Sequence, residues 1–291
     1  MNTFLSELGK KLAERWVSLL ALPGALFIVL AAAGSVLGHR EALAWRRLAR
    51  AAEDFAAHFD HRPVRAVLLS VVILVVGAGI GLLARGLGGV VERVWLLSGP
   101  TWLTGRLTRQ RRDRWRRADS AVERASASER VSEADRAALA EARNAIALTQ
   151  PARPTWIGDR LRGVGVRVHG QYGLDFPYAW PRLWILLPET CRTDLIAARA
   201  ALTGASTQGG WGVLYLCLGS QWWPAALVGA VLLLNGWRRG REAAVNLADL
   251  TESVVDLYAA DLALSLGVDL PSGYLTPALG RQVSERLRKG A

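Results

Sequence analysis

Charge and apolarity are kept apart along this chain. Residues 17–38 (VSLLALPGALFIVLAAAGSVLG) carry no charge at all. As a helix that run measures ~33 Å, enough to cross a hydrocarbon core of ~30 Å. A second run, Val64 to Ala84, is interrupted only by Arg65 at its edge. Residues 200–237 hold two more apolar runs around Gly219-Ser220-Gln221-Trp222-Trp223-Pro224. The chain is 51% hydrophobic, yet 21% charged with a net charge of +11, and its mean hydropathy is +0.19. Soluble domains interleave these classes, whereas membrane proteins set them in blocks. No segment outside the runs alternates with period two, so no β core is expected. The expected fold is all-α: an integral membrane protein with four transmembrane helices as two hairpins, plus cytoplasmic helical regions.

Five segments follow. Residues 1–84 hold a basic lead-in and the first hairpin, and residues 85–153 an Arg-rich helical region. Residues 154–198 form a Trp/Pro-rich interfacial block, 199–237 the second hairpin, and 238–291 an amphipathic helix and tail. A cleaved signal peptide ending near Ala31-Ala32-Ala33 is the rival reading of the first run, but the run continues past those alanines. Arg192 and Arg199 precede the last two runs, and Arg238, Arg239 and Arg241 follow them. Two crossings keep both clusters on one side, as the positive-inside rule asks; a single kinked span would not. Both termini and residues 85–195 are therefore expected in the cytoplasm of a bacterial plasma membrane, with 39–63 and 219–223 outside. Small-residue pairs, Gly34-x-x-x-Gly38 and Gly77-x-x-x-Gly81, suit close packing of the first hairpin.

Trp95 and Trp102 read as headgroup anchors. Between Arg106 and Arg117 the arginines point in every direction at helical spacing, so no single basic stripe is expected. The segment reads as solvated positive-inside charge, with anionic lipid headgroups as the sharper alternative. Ser126 with Glu129, and Ser132 with Asp135, are capping spacings that announce a helix to about residue 148, ended by Pro151 and Pro154.

Within 154–189 the chain carries Pro154-Thr155, Gly158-Asp159, Leu161-Arg162, Tyr172-Gly173-Leu174-Asp175, Trp180-Pro181-Arg182-Leu183 and Leu187-Pro188-Glu189. This pattern resembles a recurring segment of uncharacterised multi-span bacterial membrane proteins. The resemblance implies a membrane location and no particular chemistry. From the residues themselves, two short helices are expected, Gly158 to Val168 and Trp180 to Leu186. Trp156, Tyr172, Trp180 and Trp184 are amphipathic anchors, and Asp159, Arg162, Asp175 and Arg182 are candidates for mutual pairing. These eight residues form the candidate interaction surface. In the C-terminal helix, Leu247, Leu250, Val254, Leu257 and Leu264 follow three-four spacing, with Asp261 intruding on their face. Asp249, Glu252 and Asp256 lie opposite, as mates for Arg162 or Arg182.

Motifs for chemistry are missing. His39, His58, His61 and His169 are scattered, Cys191 and Cys217 form no framework, and no nucleotide loop or nucleophile elbow is present. No catalytic, metal or cofactor residue is assigned. The implied partners are the lipid bilayer, anionic headgroups, and a protein partner or a second copy; nothing points to nucleic acid. The expectation is a non-enzymatic membrane protein presenting cytoplasmic helices for assembly or signalling. A small channel or transporter lined by Thr203, Ser206, Thr207 and Gln208 is the alternative.

Overall fold

A computed structural model describes residues 21–57, 63–98, 101–128 and 130–288. The expected lead-in at 1–16, the first residues of the run at 17–38, His58, His61, Glu129 and the side chain of Trp102 lie outside what is described. The described residues form helices without a strand: α1 (Leu22–Leu37), α2 (Trp45–Ala57), α3 (Pro63–Trp95), α4 (Thr101–Ser126), α5 (Glu133–Ile146), α6 (Trp156–Tyr172), α7 (Phe176–Leu186), α8 (Glu189–Leu218), α9 (Trp223–Ser265) and α10 (Pro277–Arg288). The chain is all-α. It divides into two units, one of residues 1–92 with 203–238, the other of 93–202 with 239–291.

In the first unit the helices meet where side chains are missing. A Cβ on Gly24 of α1 would collide with the carbonyl oxygen of Gly77 in α3. One on Gly210 of α8 would collide with the Ala84 carbonyl of α3, and one on Gly229 of α9 would lie 2.8 Å from the Gly212 carbonyl of α8. The first hairpin thus closes through Gly24 and Gly77: one member of the expected Gly77–Gly81 pair takes part, and the Gly34–Gly38 pair does not. Gly34 instead faces Trp222, and Gly38 caps α1 at φ 60°. Contacts also fix direction. Ala84 and Gly88 meet Gly210 and Thr207 in turn, and Gly219 and Gly212 meet Ala226 and Leu233. α8 therefore runs antiparallel to both α3 and α9. α1 runs with α8: Phe27 packs edge-on against Tyr215 at 5.1 Å, while Gly34 reaches Trp222.

α3 does not stop at Ala84. Nothing in Arg85–Trp95 breaks a helix, and Gly88 is held by its approach to Thr207. Val64–Trp95 is long and apolar enough to cross a membrane: its most apolar window has a mean hydropathy of 2.8, and only 17% of that window is buried. α1 is apolar but short, at 16 residues. The uncharged half of α8 is diluted by Thr203, Ser206, Thr207 and Gln208. In α9 the apolar stretch ends at Arg238. Residues 219–222 separate α8 from α9, so the 200–237 region is two helices and not one kinked span. α9 then continues as a single helix to Ser265, well past the charge cluster.

The second unit has a conventional core. Leu174, Leu183, Leu262 and Val283 are fully buried among α6, α7, α9 and α10. Each such side chain contributes ~1.5–3 kcal/mol of burial. The expected apolar face of α9 is covered only along its first part, where Val254 is buried and Leu247 and Leu250 pack against the same cluster. Leu257 and Leu264 are 70% and 56% exposed, and Asp261 is exposed beside them. The face turned inward carries Ala244, Ala248, Val255, Ala259 and Leu262, because small side chains let neighbouring helices come closer than leucines do. α4 and α5 pair with each other. α5 starts as expected at Ser132, whose Oγ accepts from the Asp135 amide, but Ser126 ends α4 instead of capping a helix.

Gly210 and Gly204 lie two turns apart on α8 and should answer oppositely to a methyl group. Gly210→Ala is expected to lose ~1–3 kcal/mol through overpacking against Ala84, and Gly204→Ala, which meets nothing within 4 Å, to be neutral or slightly stabilising. Thermal unfolding in detergent measures both. Equal behaviour of the two variants would contradict the packing described.

Candidate functional surface

Asp159 organises one end of the second unit. It sits in the first turn of α6, whose cap is Thr155: its Oγ1 accepts from the Gly158 amide at 3.1 Å and donates to the Trp95 carbonyl. Asp159 is 5% exposed. One oxygen accepts the amides of Ala152 and Arg153 at 2.9 and 2.8 Å, and the other takes Arg111 Nη2 at 3.0 Å. Arg162 approaches at 3.8 Å and donates to the Gln150 carbonyl instead. A buried carboxylate persists only when paired and hydrogen-bonded this fully.

One face of the Arg-rich helix turns toward this end. Arg111, Arg112 and Trp115 of α4 share a face, and all three hold the extended segment after α5: Arg111 on the Ile146 carbonyl, Arg112 on Pro151, Trp115 on Ala147. α5 therefore ends at Ile146, before the prolines. Arg106, Arg109, Arg114, Arg116 and Arg117 are exposed, as expected; Arg111 and Arg112 depart from the expectation because extended backbone between α5 and α6 needs donors, and a guanidinium supplies five. Trp95, expected as a headgroup anchor, is 7% exposed and packs on Gly240.

α6 and α9 are joined by a ladder of side chains. Arg160 meets Asp249 at 2.5 Å, Arg167 meets Glu252, and the Tyr172 hydroxyl donates to Asp256 at 2.7 Å. The acidic row does mate with the 154–189 block, but through these residues and not through Arg162 or Arg182. Seven residues separate Arg160 from Arg167, two helical turns on one face. Arg162 lies on another face, and Arg182 donates to its own helix at Tyr178. Trp156 takes Arg241 over its ring at 4.3 Å and donates to the Ala145 carbonyl.

Tyr172-Gly173-Leu174-Asp175 forms the joint with α10. Gly173 closes α6 at φ 68°, a conformation side chains resist, and a Cβ there would strike the Pro277 carbonyl. Ser284 Oγ donates toward the Gly280 and Gly173 carbonyls and accepts the Asp175 amide at 2.8 Å. Asp175 pairs with Arg288 at 2.7 Å. The candidate pairing of Asp159, Arg162, Asp175 and Arg182 with one another thus reduces to the Asp159–Arg162 approach. α10, read from the sequence only as a last basic helix of the tail, holds the missing partner.

Along α7, Phe176, Trp180 and Trp184 stack in tilted succession at 5.2 and 6.0 Å. They line an open groove of about 440 Å³ together with Leu161, Leu195 and Arg199. No protein-family profile, curated protein or solved structure matches the chain.

Burial, and then the hydrogen bond and charge of Asp256, push the Tyr172 phenol from 10.0 up to about 12. The neutral phenol is the form the fold favours. Its contribution is intact below pH 10 and is lost as pH rises from 10 through about 12. Tyr172→Phe should flatten the alkaline fall in stability over that window, followed by denaturant unfolding at each pH. An unchanged slope would mean that the bond to Asp256 is not made.

Proposed function

We propose that this is a multi-pass membrane protein of four spanning helices in two hairpins, with both termini cytoplasmic, whose second unit is a rigid helical platform for assembly or signalling. One observation carries the reading. On α3 and the first part of α9 the large apolar side chains face outward, while Gly77, Ala78, Ala84, Ala225 and Gly229 are buried. Val67, Val71 and Val75 of α3, and Leu227, Val231 and Leu234 of α9, are 51% exposed or more. Hydrocarbon is the surrounding that tolerates such a surface, and small residues at helix contacts are how helices associate within it.

The alternating directions of α3, α8 and α9 support two hairpins. So does the bond from Trp222 Nε1 to the Ala42 carbonyl at 3.0 Å, which brings the loop after α1 to the same end as the α8–α9 turn. Orientation follows from Arg93, Arg199, Arg238 and Arg239, which stand beyond the opposite ends of the apolar stretches of these helices, by the positive-inside rule. A bacterial plasma membrane is the setting that the resemblance of residues 154–189 suggests.

The channel alternative draws less support. Ser206 is 1% exposed, and the hydroxyls of Ser206 and Thr207 both donate to the Thr203 carbonyl at 2.9 Å. They are occupied by their own helix. An enzyme using Asp159 or Asp175 as its acid is disfavoured too, since the first holds two amides and an arginine and the second is paired with Arg288.

The test is vectorial. With Cys191 and Cys217 replaced by serine, Ser220→Cys in sealed cells should react with a membrane-impermeant maleimide from outside, and not in inverted vesicles. Labelling from the cytoplasmic face alone would overturn the topology.

A further inference from the structure

We propose that the groove lined by α6, α7, α8 and α9 in the second unit binds an anionic phospholipid, with an acyl chain along its aromatic wall and the headgroup phosphate at Arg199. This rests on the membrane reading above and deepens it by naming a ligand class.

Three observations select that occupant. First, apart from Arg199 the lining is mostly carbon. Leu161, Val164, Phe176, Trp180, Trp184 and Leu195 present mainly carbon, and the hydroxyl of Thr251 is already given to the Leu247 carbonyl at 2.6 Å. A peptide laid there would leave its own amides and carbonyls without partners, which is costly; a hydrocarbon tail has none to satisfy. The volume of about 440 Å³ falls in the range of small-molecule sites.

Second, the lining carries one cation, Arg199, and no carboxylate. A guanidinium at the end of an apolar groove matches an amphiphile with a phosphate next to its tails. Third, Arg199 stands immediately before the uncharged run that begins at residue 200 in the same helix. On the membrane reading, that is the depth at which headgroups lie. The neighbouring side chains agree: Ile185 is 76% exposed and Ile196, itself in the lining, 59% exposed. Neither suits water.

The experiment uses the full chain in phosphatidylcholine vesicles containing a minority of phosphatidylglycerol that carries a photoactivatable acyl chain. Crosslinked peptides are mapped by mass spectrometry. Labelling is expected on the stretches 180–199 and 247–251, and separately on α3, whose outward face meets bulk lipid. Ile196→Trp, at an exposed position that tolerates size, should lower groove labelling about tenfold by displacing a few methylenes of the chain. Labelling of α3 in the same variant reports that it is still folded and inserted. Arg199→Gln should keep groove labelling but abolish the preference for phosphatidylglycerol over an equally reactive phosphatidylcholine. If α3 is labelled and the groove is not, or if Ile196→Trp labels the groove like wild type, the inference is wrong and the membrane reading stands. If neither region is labelled, both are wrong. Groove labelling with no preference between the two lipids would overturn the assignment of the headgroup to Arg199.

Discussion

Among the described residues, the helix backbones of the first unit come closest together where a side chain is absent. Gly24 against Gly77, Gly210 against Ala84 and Gly229 against Gly212 each bring backbone to backbone. Such contacts bury little apolar area, so a water-driven hydrophobic effect has little to act on there. What holds is dispersion between closely fitted backbones, helped by local clusters such as Phe27, Trp211 and Tyr215. Once glycine and alanine occupy the contacts, valine and leucine have nowhere to go but outward. The exposed faces of α3 and α9 and the tight interior are one fact seen from two sides.

The second unit is built on the opposite principle. Its core is apolar, but its edges are fixed by arginine. Arg111 reaches both the Ile146 carbonyl and Asp159, and Arg160 and Arg167 tie α6 to α9. In all three the terminal nitrogens engage while a buried Nε is left without a partner. They are end-on contacts and not two-pronged forks. The Asp159 centre is the expensive one to disturb. Its pairing with Arg111 and two amides is buried, and breaking a pair of that kind costs ~3–5 kcal/mol. The exposed Arg160–Asp249 rung is worth ~0–1 kcal/mol.

Much of this was legible from residue order. The uncharged runs, the Ser132 cap, the break at residues 219–222 and the two short helices within 154–189 all follow from local chemistry. What residue order conceals is which face a helix turns inward. On α9, leucines at three-four spacing mark an apolar stripe, and yet Leu257 and Leu264 lie outside while Ala244, Ala248 and Ala259 are within. Periodicity sorts residues onto faces, and the neighbours decide which face is covered. Partners distant in sequence were hidden for the same reason. Asp175 finds Arg288, and Asp159 finds Arg111, across more than forty residues each. One signal for the first was present: Ser284 and Arg288 stand one turn apart in a helical segment with Gly280 a turn before, a pattern that fits a close approach to another chain segment.

The central claim is that hydrocarbon surrounds the first unit, and collision accessibility along α3 tests it most directly. Nitroxides placed singly at Val67, Val71, Val75 and Leu82 in vesicle-reconstituted protein would be challenged with oxygen, which concentrates in lipid, and with a water-soluble nickel chelate, which does not enter it. All four positions are exposed in the structure. High oxygen and low chelate accessibility at every one is the predicted result. Strong relaxation by the chelate at these positions would place α3 in water and contradict the account.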